Sequence, residues 1–527
     1  MKDGLVEVKR ALVSVSDKAE LESIAQKLAE KNVEIISSGG TGKFLQERGI
    51  AFTPVEKVTG NPEAFGGRMK TLSFQISSSL LFRRGHAEDE KQAKELGITP
   101  IDLVICNLYP FEEVAKKSTD WDEIVENIDI GGPTMIRAAA KNYAAVAVVT
   151  CPSQYGMVIR DLNETGGSIR AETRQKLSLD AFRHTAAYDS LISARMEKEW
   201  GEEQRTISIP VATGEALRYG ENPHQKSWVH ADPFNPGIAG AEPLQGKELS
   251  YNNLLDADAA WRSCGDIAAL GLAGYPAAVS IIKHLSPCGL ALGKTPLAAL
   301  ETAWAGDPVS SFGGILCFNA PVDADVAEWL GKKFVEVILA PSFTEEAKKI
   351  FAAKPNLRLL EIAPYRGDEK AMMVRSISGG FVVQQEDEGG DAEFKPMTSR
   401  PFPPAHADLA RFGVMACKHL KSNAIGIFKV NDAGFSMIGA GMGNPNRLVS
   451  MKQAVEKAHE NGHKDLSEAM LVSDAFFPFA DNIGIAAAAG IRYIVQPGGS
   501  VKDKEVIAAC NDSDIAMTFT GRRHFRH

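Results

Sequence analysis

The chain has 527 residues, of which 44% are hydrophobic and 24% charged, and its formal net charge is −9. This length exceeds what one hydrophobic core sustains and predicts several domains of about 100 to 200 residues, while the composition excludes a disordered or fibrous protein. The acidic balance excludes a broad nucleic-acid surface and favours a small metabolite. The seven cysteines form no C-x-x-C pair, and no stretch is typical of a secretory signal or a membrane span, so we expect a cytoplasmic protein.

Strands and helices alternate over the first part of the chain. The predicted strands are KRALVSVS, VEIISS, IDLVICNLY and AAVAVVT. Between them, DKAELESIAQKLAEKN predicts a helix with Ser16 or Asp17 as its N-cap, and GKFLQERG predicts a short helix. This alternation predicts a parallel α/β sheet, whose ligands bind beyond the carboxyl ends of the strands.

The segment SSGGTGK, 37–43, follows the second predicted strand. Its glycines would let backbone N–H groups approach an anion at a helix N-terminus. The triphosphate-binding Walker pattern is not met, because Ser37 stands in place of glycine and Phe44 in place of serine or threonine. The segment therefore predicts a cradle for a monophosphate, with a simple turn as the alternative.

A charged segment, EKEWGEEQRT, separates this region from the rest of the chain. It predicts one domain over residues 1–198 and a second over 199–527. The second continues the α/β pattern, with a strand at GILCFN and a helix at ADVAEWLGKKF. A passage rich in proline, glycine and acidic residues over 386–405 predicts a break between two subdomains. No sequence repeat is visible in this half.

HENGH, residues 459–463, fits the H-E-x-x-H pattern of zinc proteases. That pattern requires two histidines one turn apart on a helix. Asn461 and Gly462 form helices poorly and favour a helix end instead. A zinc hydrolase therefore stays an alternative that rests on this motif alone, and no catalytic metal is predicted.

Lys283 and His284 directly follow an apolar run in AAVSIIKHLSPCG. Neighbouring side chains on a strand point to opposite faces, so both can serve one ligand only if the strand ends there. We expect Ser286-Pro287 and Gly289 to supply the turn. An imidazole beside an ammonium suits proton removal from an amine that attacks an acyl group. The alternative is a lysine that extends to solvent and a histidine bonded to the backbone.

Eleven motifs define a more specific resemblance. In chain order they are ALVSVSDK, SSGGT, GGRMKTL, CNLYPF, IDIGGPTMIRAAAKN, LRYGENPHQ, KELSYNN, IIKHLSPCG, SSFGGI, SDAFFPF and TGRRHFRH. In order and spacing they resemble the bifunctional purine biosynthesis family. Its members join 5-aminoimidazole-4-carboxamide ribonucleotide (AICAR) formyltransferase to inosine monophosphate (IMP) cyclohydrolase.

The resemblance implies an α/β fold. An N-terminal parallel-sheet domain like methylglyoxal synthase would precede a C-terminal half of two cytidine-deaminase-like α/β subdomains without zinc. It also implies 10-formyltetrahydrofolate as co-substrate, with AICAR, formyl-AICAR and IMP as the other small-molecule ligands. The chain would form a homodimer with formyltransferase sites at the subunit interface, and neither nucleic acid nor a membrane would be a partner.

The resemblance assigns roles in the C-terminal half. His284 would accept a proton from the AICAR amine as it attacks the formyl carbon, and Lys283 would stabilise the developing charge. Arg218 and Tyr219 would contact the substrate from the neighbouring subunit. The other implied substrate contacts are Gly313, Glu336, Asn423, Arg447, Phe476, Asp481, Arg523 and His527.

In the N-terminal half the implied catalytic residues are Lys70, Tyr109, Asp129 and Lys141. Lys70 would stabilise an oxyanion, while Asp129 and Lys141 would handle the carboxamide and the leaving water. The implied nucleotide contacts are Ser14, Ser16, Lys18, Ser38, Gly39, Thr41, Arg68, Thr71, Asn107, Ile130, Gly131 and Gly132.

The chain departs from the family pattern in several places, among them Glu336, where some members have aspartate, and Ala480, where an arginine commonly follows SDAFFPF. From Ser73 it reads SFQISSSLLFRR, where the family has two histidines. GAGMGNPNR, 439–447, is two residues longer than its family counterpart, which leaves the place of Arg447 open. A second hypothesis therefore stays open, in which the chain is a formyltransferase whose N-terminal domain binds nucleotide without catalysis.

Overall fold

The computed structural model describes residues 4–65, 68–201, 214–234, 237–367, 371–389 and 393–527. The chain divides into two compact units, Met1–Thr213 with Asp232–Asn235, and Gly214–Ala231 with Pro236–His527. The last long helix of the first unit runs to Trp200, past the boundary predicted at residue 198. Part of the charged segment that suggested this boundary, residues 202–206, lies outside the described residues. Within the described ranges, no helix has both the length and the apolarity to cross a bilayer.

The N-terminal unit is built on a five-stranded parallel sheet of order β4-β3-β2-β5-β6, formed by described residues. Strands β1 and β7 form a small separate antiparallel pair. In chain order the elements are β1 (Val6–Glu7), β2 (Arg10–Val15), α1 (Leu21–Glu30), β3 (Glu34–Ser37), α2 (Gly39–Glu47), β4 (Thr53–Pro54), α3 (Val55–Thr59), α4 (Phe74–Leu81), α5 (Ala87–Glu95), β5 (Leu103–Asn107), α6 (Phe111–Lys117), α7 (Trp121–Glu126), α8 (Gly131–Lys141), β6 (Ala147–Val149), α9 (Tyr155–Glu164), β7 (Ser168–Ile169) and α10 (Ala171–Trp200).

The sheet has a hydrophobic core on each face. Along β2, Val13 packs into one buried cluster and Leu12 into the other, because successive strand side chains point to opposite faces. All four strands predicted in this region are present. The carboxyl ends of β2, β3 and β5 therefore meet at one edge of the sheet, where a parallel α/β fold places its ligand.

The predicted start of the first helix is wrong. Helix α1 begins at Leu21, and Glu20 precedes it with a φ of 56° and no side-chain cap. The Asp17 carboxylate instead accepts a hydrogen bond from the N–H of Ala19 at 2.9 Å. This local turn uses the side chain that the sequence predicted as the cap.

The C-terminal unit contains a twelve-stranded sheet, counted over described residues, of order β10-β15-β14-β13-β11-β12-β20-β19-β21-β22-β23-β18. Two hairpins, β8 with β9 and β16 with β17, lie outside it. In chain order the elements are β8 (Glu215–Leu217), β9 (Ser227–Val229), β10 (Pro243–Gln245), α11 (Tyr251–Ala269), β11 (Ala277–Lys283), β12 (Ser286–Gly293), α12 (Pro296–Ala305), α13 (Pro308–Ser311), β13 (Ile315–Phe318), α14 (Ala324–Gly331), β14 (Val337–Ala340), α15 (Glu345–Phe351), β15 (Arg358–Glu361), β16 (Met372–Ile377), β17 (Gly380–Gln385), β18 (Lys395–Pro396), α16 (Ala407–Cys417), β19 (Ile425–Asn431), β20 (Gly434–Gly441), α17 (Arg447–Glu460), β21 (Met470–Ser473), α18 (Asp481–Ala488), β22 (Tyr493–Gln496), α19 (Asp503–Asp512) and β23 (Ala516–Phe519).

This sheet is a duplication. Each half has a hairpin, β11–β12 or β19–β20, followed by three parallel strands and a short antiparallel strand at the outer edge. The halves correspond to the two α/β subdomains that the resemblance implies. They join where β12 pairs antiparallel with β20. Gly434 lies at this junction with a φ of 150°, and a Cβ there would come within 1.8 Å of the Leu292 carbonyl oxygen.

Candidate active sites

A cavity of about 650 Å³ opens at the carboxyl edge of the N-terminal sheet. Most of the residues that the resemblance assigns to this half line it. They are Ser14, Ser16, Lys18, Ser38, Thr41, Arg68, Lys70, Thr71, Asn107, Tyr109, Asp129, Ile130, Gly131 and Gly132. Residues from five segments of the chain thus meet at the edge where the sequence predicts a ligand.

One end of this cavity suits a phosphate. Ser38 precedes α2, and its hydroxyl is buried without a hydrogen-bond partner among the described residues. The Lys18 ammonium is close to Gly40, since a Cβ at Gly40 would lie 4.0 Å from Nζ. Gly39 has a φ of 51°, and a Cβ there would lie 2.3 Å from the Lys70 ammonium nitrogen. An unsatisfied hydroxyl, nearby ammonium groups and a helix N-terminus are what an anionic group needs.

Two of the predicted nucleotide contacts hold the loops of this cavity. The Asn107 side-chain oxygen accepts from the N–H groups of Ser16 and Asp17 at 2.6 and 2.9 Å. The Thr41 hydroxyl bonds both the N–H and the carbonyl of Val15, each at 3.0 Å. These side chains therefore fix the loop after β2.

The cavity also contains a carboxyl and a phenol whose pKa values are raised. Burial raises the pKa of the Asp129 carboxyl, against the lowering effect of backbone hydrogen bonds that include one from Gly132 at 2.7 Å. Burial and the nearby Asp129 raise the pKa of Tyr109. Gly132 allows the close approach, since a Cβ there would lie 2.5 Å from Asp129 Oδ2. The Tyr188 hydroxyl accepts from the Asp129 N–H at 2.8 Å and is a support that the sequence missed.

Two acidic residues of the cavity were also missed by sequence reasoning. Glu63 pairs with Lys70 at 3.4 Å, and the Glu126 carboxylate pairs with the Arg68 guanidinium. Lys70 and Arg68, two of the cations assigned to this site, therefore each have a carboxylate partner in the cavity. Nothing in the local sequence distinguishes these glutamates from surface charges.

Lys141 is not among the residues that line this cavity. It is the exposed last residue of α8, whose first residues line the cavity. An eleven-residue helix rises about 15 Å. Lys141 thus lies at the opposite end of α8 from Gly131 and Gly132, and its catalytic role stays a prediction.

The altered segment after Thr71 forms the regular helix α4. Ser73 caps it by accepting from the N–H of Ile76 at 3.1 Å, and the helix packs on α8. Ile76 and Leu80 are fully buried in the core between them. In this part of the chain Leu72 is the last residue that lines the cavity. Residues 73–79 are all described, and none of them lines it.

In the C-terminal unit, a second cavity of about 320 Å³ lies beside the junction of the two sheet halves. Lys283 and His284 both line it, together with residues of the second half such as Met437 and Lys457. The Lys283 ammonium donates to the Phe312 carbonyl at 2.8 Å. The strand ends at Lys283, so both basic side chains reach one cavity, as the sequence requires of a pair that serves one ligand.

The turn that achieves this is not where the sequence predicts it. His284 and Leu285 form it, with φ values of 54° and 61°, and Ser286 to Gly293 is already the next strand. The Asp256 carboxylate on α11 accepts from the N–H groups of His284 and Leu285 at 3.1 and 2.7 Å. The turn is therefore held by a residue that local sequence rules do not identify.

An acidic residue, Asp307, lines this cavity. Lys457 Nζ donates to the Asp307 carboxylate at 3.1 Å, which links the two sheet halves. Burial alone would raise the pKa of Asp307, but hydrogen bonds from Ser310 and Lys457 hold it below its usual value. Burial raises the pKa of the neighbouring Cys288 thiol to about 12, so that thiol stays protonated near neutral pH.

The remaining predicted contacts lie outside this cavity, in two groups. Gly313 directly follows Phe312, and its N–H bonds the Phe334 carbonyl at 2.9 Å. Glu336 accepts from Asn253 at 3.0 Å and lies 3.7 Å from Arg358. Burial lowers the pKa of Arg358, and the positive charge of Arg218 lowers it further, so Arg218 and the adjoining Tyr219 belong to the same neighbourhood.

The second group surrounds the C-terminus. Arg447 is buried and donates to Asn423 Oδ1 at 2.7 Å, so the longer loop before it keeps these two predicted contacts together. Phe476 and Asp481 follow Arg447 in the chain, and both are exposed. The Arg523 guanidinium lies over the Phe525 ring. The carbonyl of His527 accepts from Arg375 at 2.8 Å, so the basic tail is tied to the unit.

HENGH does not form the two-histidine helix face of a zinc protease. Helix α17 ends at Glu460, and Gly462 has a φ of 90°. His463 therefore follows a left-handed turn rather than continuing the helix.

Two family models match this chain. The one described as AICARFT/IMPCHase bienzyme matches residues 139–457. The one described as MGS-like domain matches residues 20–134. The order of the two matches agrees with the resemblance that the eleven motifs indicate.

Curated relatives match over nearly the whole chain, and each is named bifunctional purine biosynthesis protein PurH. The protein of Persephonella marina is 44% identical over 526 residues, covering 98% of this chain and 100% of its own length. That of Mesorhizobium japonicum is 45% identical over 541 residues, covering 99% and 98%. That of Enterococcus faecalis is 44% identical over 525 residues, covering 98% and 100%. The predicted family and fold class are confirmed: this chain belongs to the AICARFT/IMPCHase bienzyme family of purine biosynthesis.

Proposed function

We propose that the two cavities are the two active sites of this bienzyme. Family membership gives the chain its reactions, formyl transfer to AICAR and dehydrative closure of formyl-AICAR to IMP. The proposal concerns the residues that perform them. One observation carries it: the turn after β11 brings Lys283 and His284 into a single cavity.

Formyl transfer takes place at the C-terminal cavity, with 10-formyltetrahydrofolate as the donor. The amine nitrogen of AICAR bonds to the formyl carbon, and the bond from that carbon to N10 of the folate breaks. His284 accepts the proton that the amine loses and can return one to N10. The Lys283 ammonium, fixed by the Phe312 carbonyl, stabilises the oxyanion of the intermediate.

Ring closure takes place at the N-terminal cavity. The carboxamide nitrogen of formyl-AICAR bonds to the formyl carbon of the same molecule, and that carbon then loses its oxygen as water. Positioning supplies much of such an intramolecular step. Ser16 and Lys18, after β2, and Ser38, after β3, hold the phosphate, and Lys70 stabilises the oxyanion. Asp129 and Tyr109 exchange protons with the nitrogen and the leaving water.

The first experiment incubates the protein with formyl-AICAR and tetrahydrofolate and separates the products. IMP above the no-enzyme control supports ring closure. AICAR supports formyl transfer in the reverse direction. AICAR without IMP would favour the second hypothesis, a formyltransferase with a nucleotide-binding N-terminal domain. Absence of both products would contradict both site assignments.

The pH dependence of ring closure tests Asp129. A carboxyl whose pKa is raised by burial becomes protonated at a higher pH than an ordinary aspartate. We therefore expect ring closure to decline on the acid side at a pH above the ordinary value of 3.8. Asp129→Asn should lower the rate about 100-fold or more and remove that limb. An unchanged rate in this variant would contradict the role.

We further propose that the chain acts as a homodimer in which Arg218 and Tyr219 of one copy complete the formyltransferase site of the other. Family membership supports this, as do exposed apolar side chains on the hairpin β16–β17, among them Ile377 and Phe381. A cytoplasmic location is proposed as well, supported by seven cysteines that are all unpaired.

Mixing two inactive variants tests the shared site. Arg218→Ala and His284→Ala copies are refolded or co-expressed together. If Arg218 acts across the interface, mixed dimers contain one intact site, and about a quarter of wild-type activity returns in an equal mixture. No recovery, with mixed dimers shown by mass photometry of size-tagged copies, would place Arg218 in its own subunit's site.

A further inference from the structure

Asp474 is a fully buried carboxylate between two parts of the predicted nucleotide site. It follows β21, and only 1% of the residue is exposed. Its carboxylate accepts from the Arg447 guanidinium with Oδ1 and from the Ser422 hydroxyl with Oδ2, the latter at 2.6 Å. Its backbone carbonyl also accepts from the N–H of His524 at 3.0 Å. It belongs to the SDAFFPF motif, but the resemblance assigns it no role.

The first oxygen of Asp474 acts on Asn423 through Arg447. Arg447 is 7% exposed, and its second guanidinium nitrogen donates to Asn423 Oδ1 at 2.7 Å. Asn423 also donates to the carbonyls of Asn444 and Pro445, at 2.9 and 3.1 Å. The side-chain amide of Asn423 therefore has a single orientation, because Arg447 accepts no hydrogen bonds and requires the oxygen on its side.

The second oxygen acts on the C-terminal tail through Ser422. The Ser422 hydroxyl donates to Asp474 and accepts from the N–H of Arg526 at 3.0 Å. The Ser422 N–H donates to the Arg526 carbonyl at 2.8 Å. Together with the bond from His524 to the Asp474 carbonyl, these contacts fix the tail on both sides of Phe525.

We infer that Asp474 is a positioning residue that sets Asn423 and the tail residues Arg523 and His527 in register for the AICAR nucleotide. The inference rests on the proposed formyltransferase site and adds the group that assembles it. Asn423 and the tail lie about a hundred residues apart in the chain, and the Asp474 carboxylate is linked to the first through Arg447 and to the second through Ser422. Its negative charge is required, because Arg447 is a buried cation that needs an anion beside it.

The main test is Asp474→Asn in the full-length enzyme. The amide keeps the size of the side chain but loses the charge and one acceptor. We expect the KM for AICAR in formyl transfer to rise about tenfold, the loss typical of one charge-assisted hydrogen bond. A merely structural role would lower the amount of active enzyme, and hence kcat, while leaving KM unchanged. Ring closure, assayed in the same sample, measures the concentration of the N-terminal unit, and denaturant unfolding at the transition of the C-terminal unit measures how much of that unit is folded.

Ser422→Ala removes only the link to the tail and serves if Asp474→Asn folds poorly. We expect a KM for AICAR raised a few fold and faster release of His527 by carboxypeptidase, followed by mass spectrometry. Ser399→Ala is the matched control, since it also removes one serine hydroxyl bonded to a side chain of this unit, that of Asn511 at 2.9 Å. It should leave both readouts unchanged.

A wild-type KM and wild-type tail release in both the Asp474 and Ser422 variants would overturn the inference. Tail release needs no turnover, so it tests the Asp474 link independently of activity. A wild-type protein that transfers no formyl group would contradict the proposed function, not the link.

Discussion

The two halves of the C-terminal sheet contain hairpin turns at equivalent positions, and the turns are built differently. The turn between β19 and β20, Asp432–Ala433, is held locally. The Asn431 side-chain oxygen accepts from the N–H groups of Ala433 and Gly434 at 2.9 and 3.1 Å, and glycine takes the one position with positive φ. Such a turn follows ordinary sequence preferences.

The turn between β11 and β12 instead places two non-glycine residues, His284 and Leu285, in the left-handed region. Each such residue costs roughly 1 kcal/mol or more. Asp256, on a different element, accepts from both N–H groups and holds the conformation. The comparison teaches that one fold supplies both turns, while the half with the basic pair maintains an unfavourable backbone that points His284 at the cavity.

Removing the basic pair should give the largest effect. Lys283→Ala and His284→Ala should each lower formyl transfer about 100-fold or more, since proton transfer and oxyanion stabilisation are lost. Ring closure should continue at the wild-type rate. Asp432→Ala, at the equivalent turn of the other half, is the control and should retain transfer. Wild-type formyl transfer in Lys283→Ala or His284→Ala would show that the β11–β12 turn serves catalysis no more than the β19–β20 turn does.

Asp256→Ala should give the second largest effect. Without the carboxylate, the N–H groups of His284 and Leu285 lose their acceptor and the turn is free to relax. We expect formyl transfer to fall about tenfold, mainly in kcat, because His284 is misplaced while substrate contacts remain. Single-turnover kinetics measure this step, and a variant with wild-type kcat would show that the turn holds itself.

Asn431→Ala should weaken stability without affecting catalysis. It removes the acceptor of two backbone N–H groups in the second turn, which costs about 1 kcal/mol. Denaturant unfolding, followed at the transition of the C-terminal unit, measures the loss. A fall in formyl transfer at full folding would contradict the separation of the two turns.

Leu285→Gly should give the smallest effect, in the opposite direction. Glycine relieves the left-handed conformation but adds entropy to the unfolded chain, so the two contributions leave a gain of about 0.5 kcal/mol. The same denaturant measurement applies. A destabilised variant would mean that the Leu285 side chain, partly exposed here, contributes more than its backbone costs.

Sequence predicted well where local pattern and fold agree. The apolar runs of the N-terminal half end where the strands of the sheet end. Lys18, Ser38 and Asn107 follow these runs and also belong to the motifs, so both signals predicted them at the carboxyl edge of the sheet. The duplication in the C-terminal unit could not be seen, because AAVSIIK and IGIFKVN share topology and burial but no pattern of identical residues. Strand order is set by tertiary pairing, which a single sequence does not display.

Asp256 and Asp474, two of the residues that sequence reasoning missed, have partners that are distant in the chain. Asp256 acts on a turn 28 residues away, and Asp474 acts on Ser422 at a separation of 52. The turn itself was assigned to Ser286-Pro287 and Gly289 because local preferences disfavour two left-handed residues without glycine.

The two outer strands of the twelve-stranded sheet have a consequence for self-association. Long open sheets present unpaired backbone donors at their margins, where other chains can add as further strands and start fibrils. Here β10 has three residues and β18 two, and each contains a proline, Pro243 or Pro396. Proline lacks the N–H that strand addition requires. Each half of the duplicated sheet therefore ends in a short, proline-containing edge strand. We expect these two edges to disfavour the addition of strands from other chains, although the sheet is unusually wide.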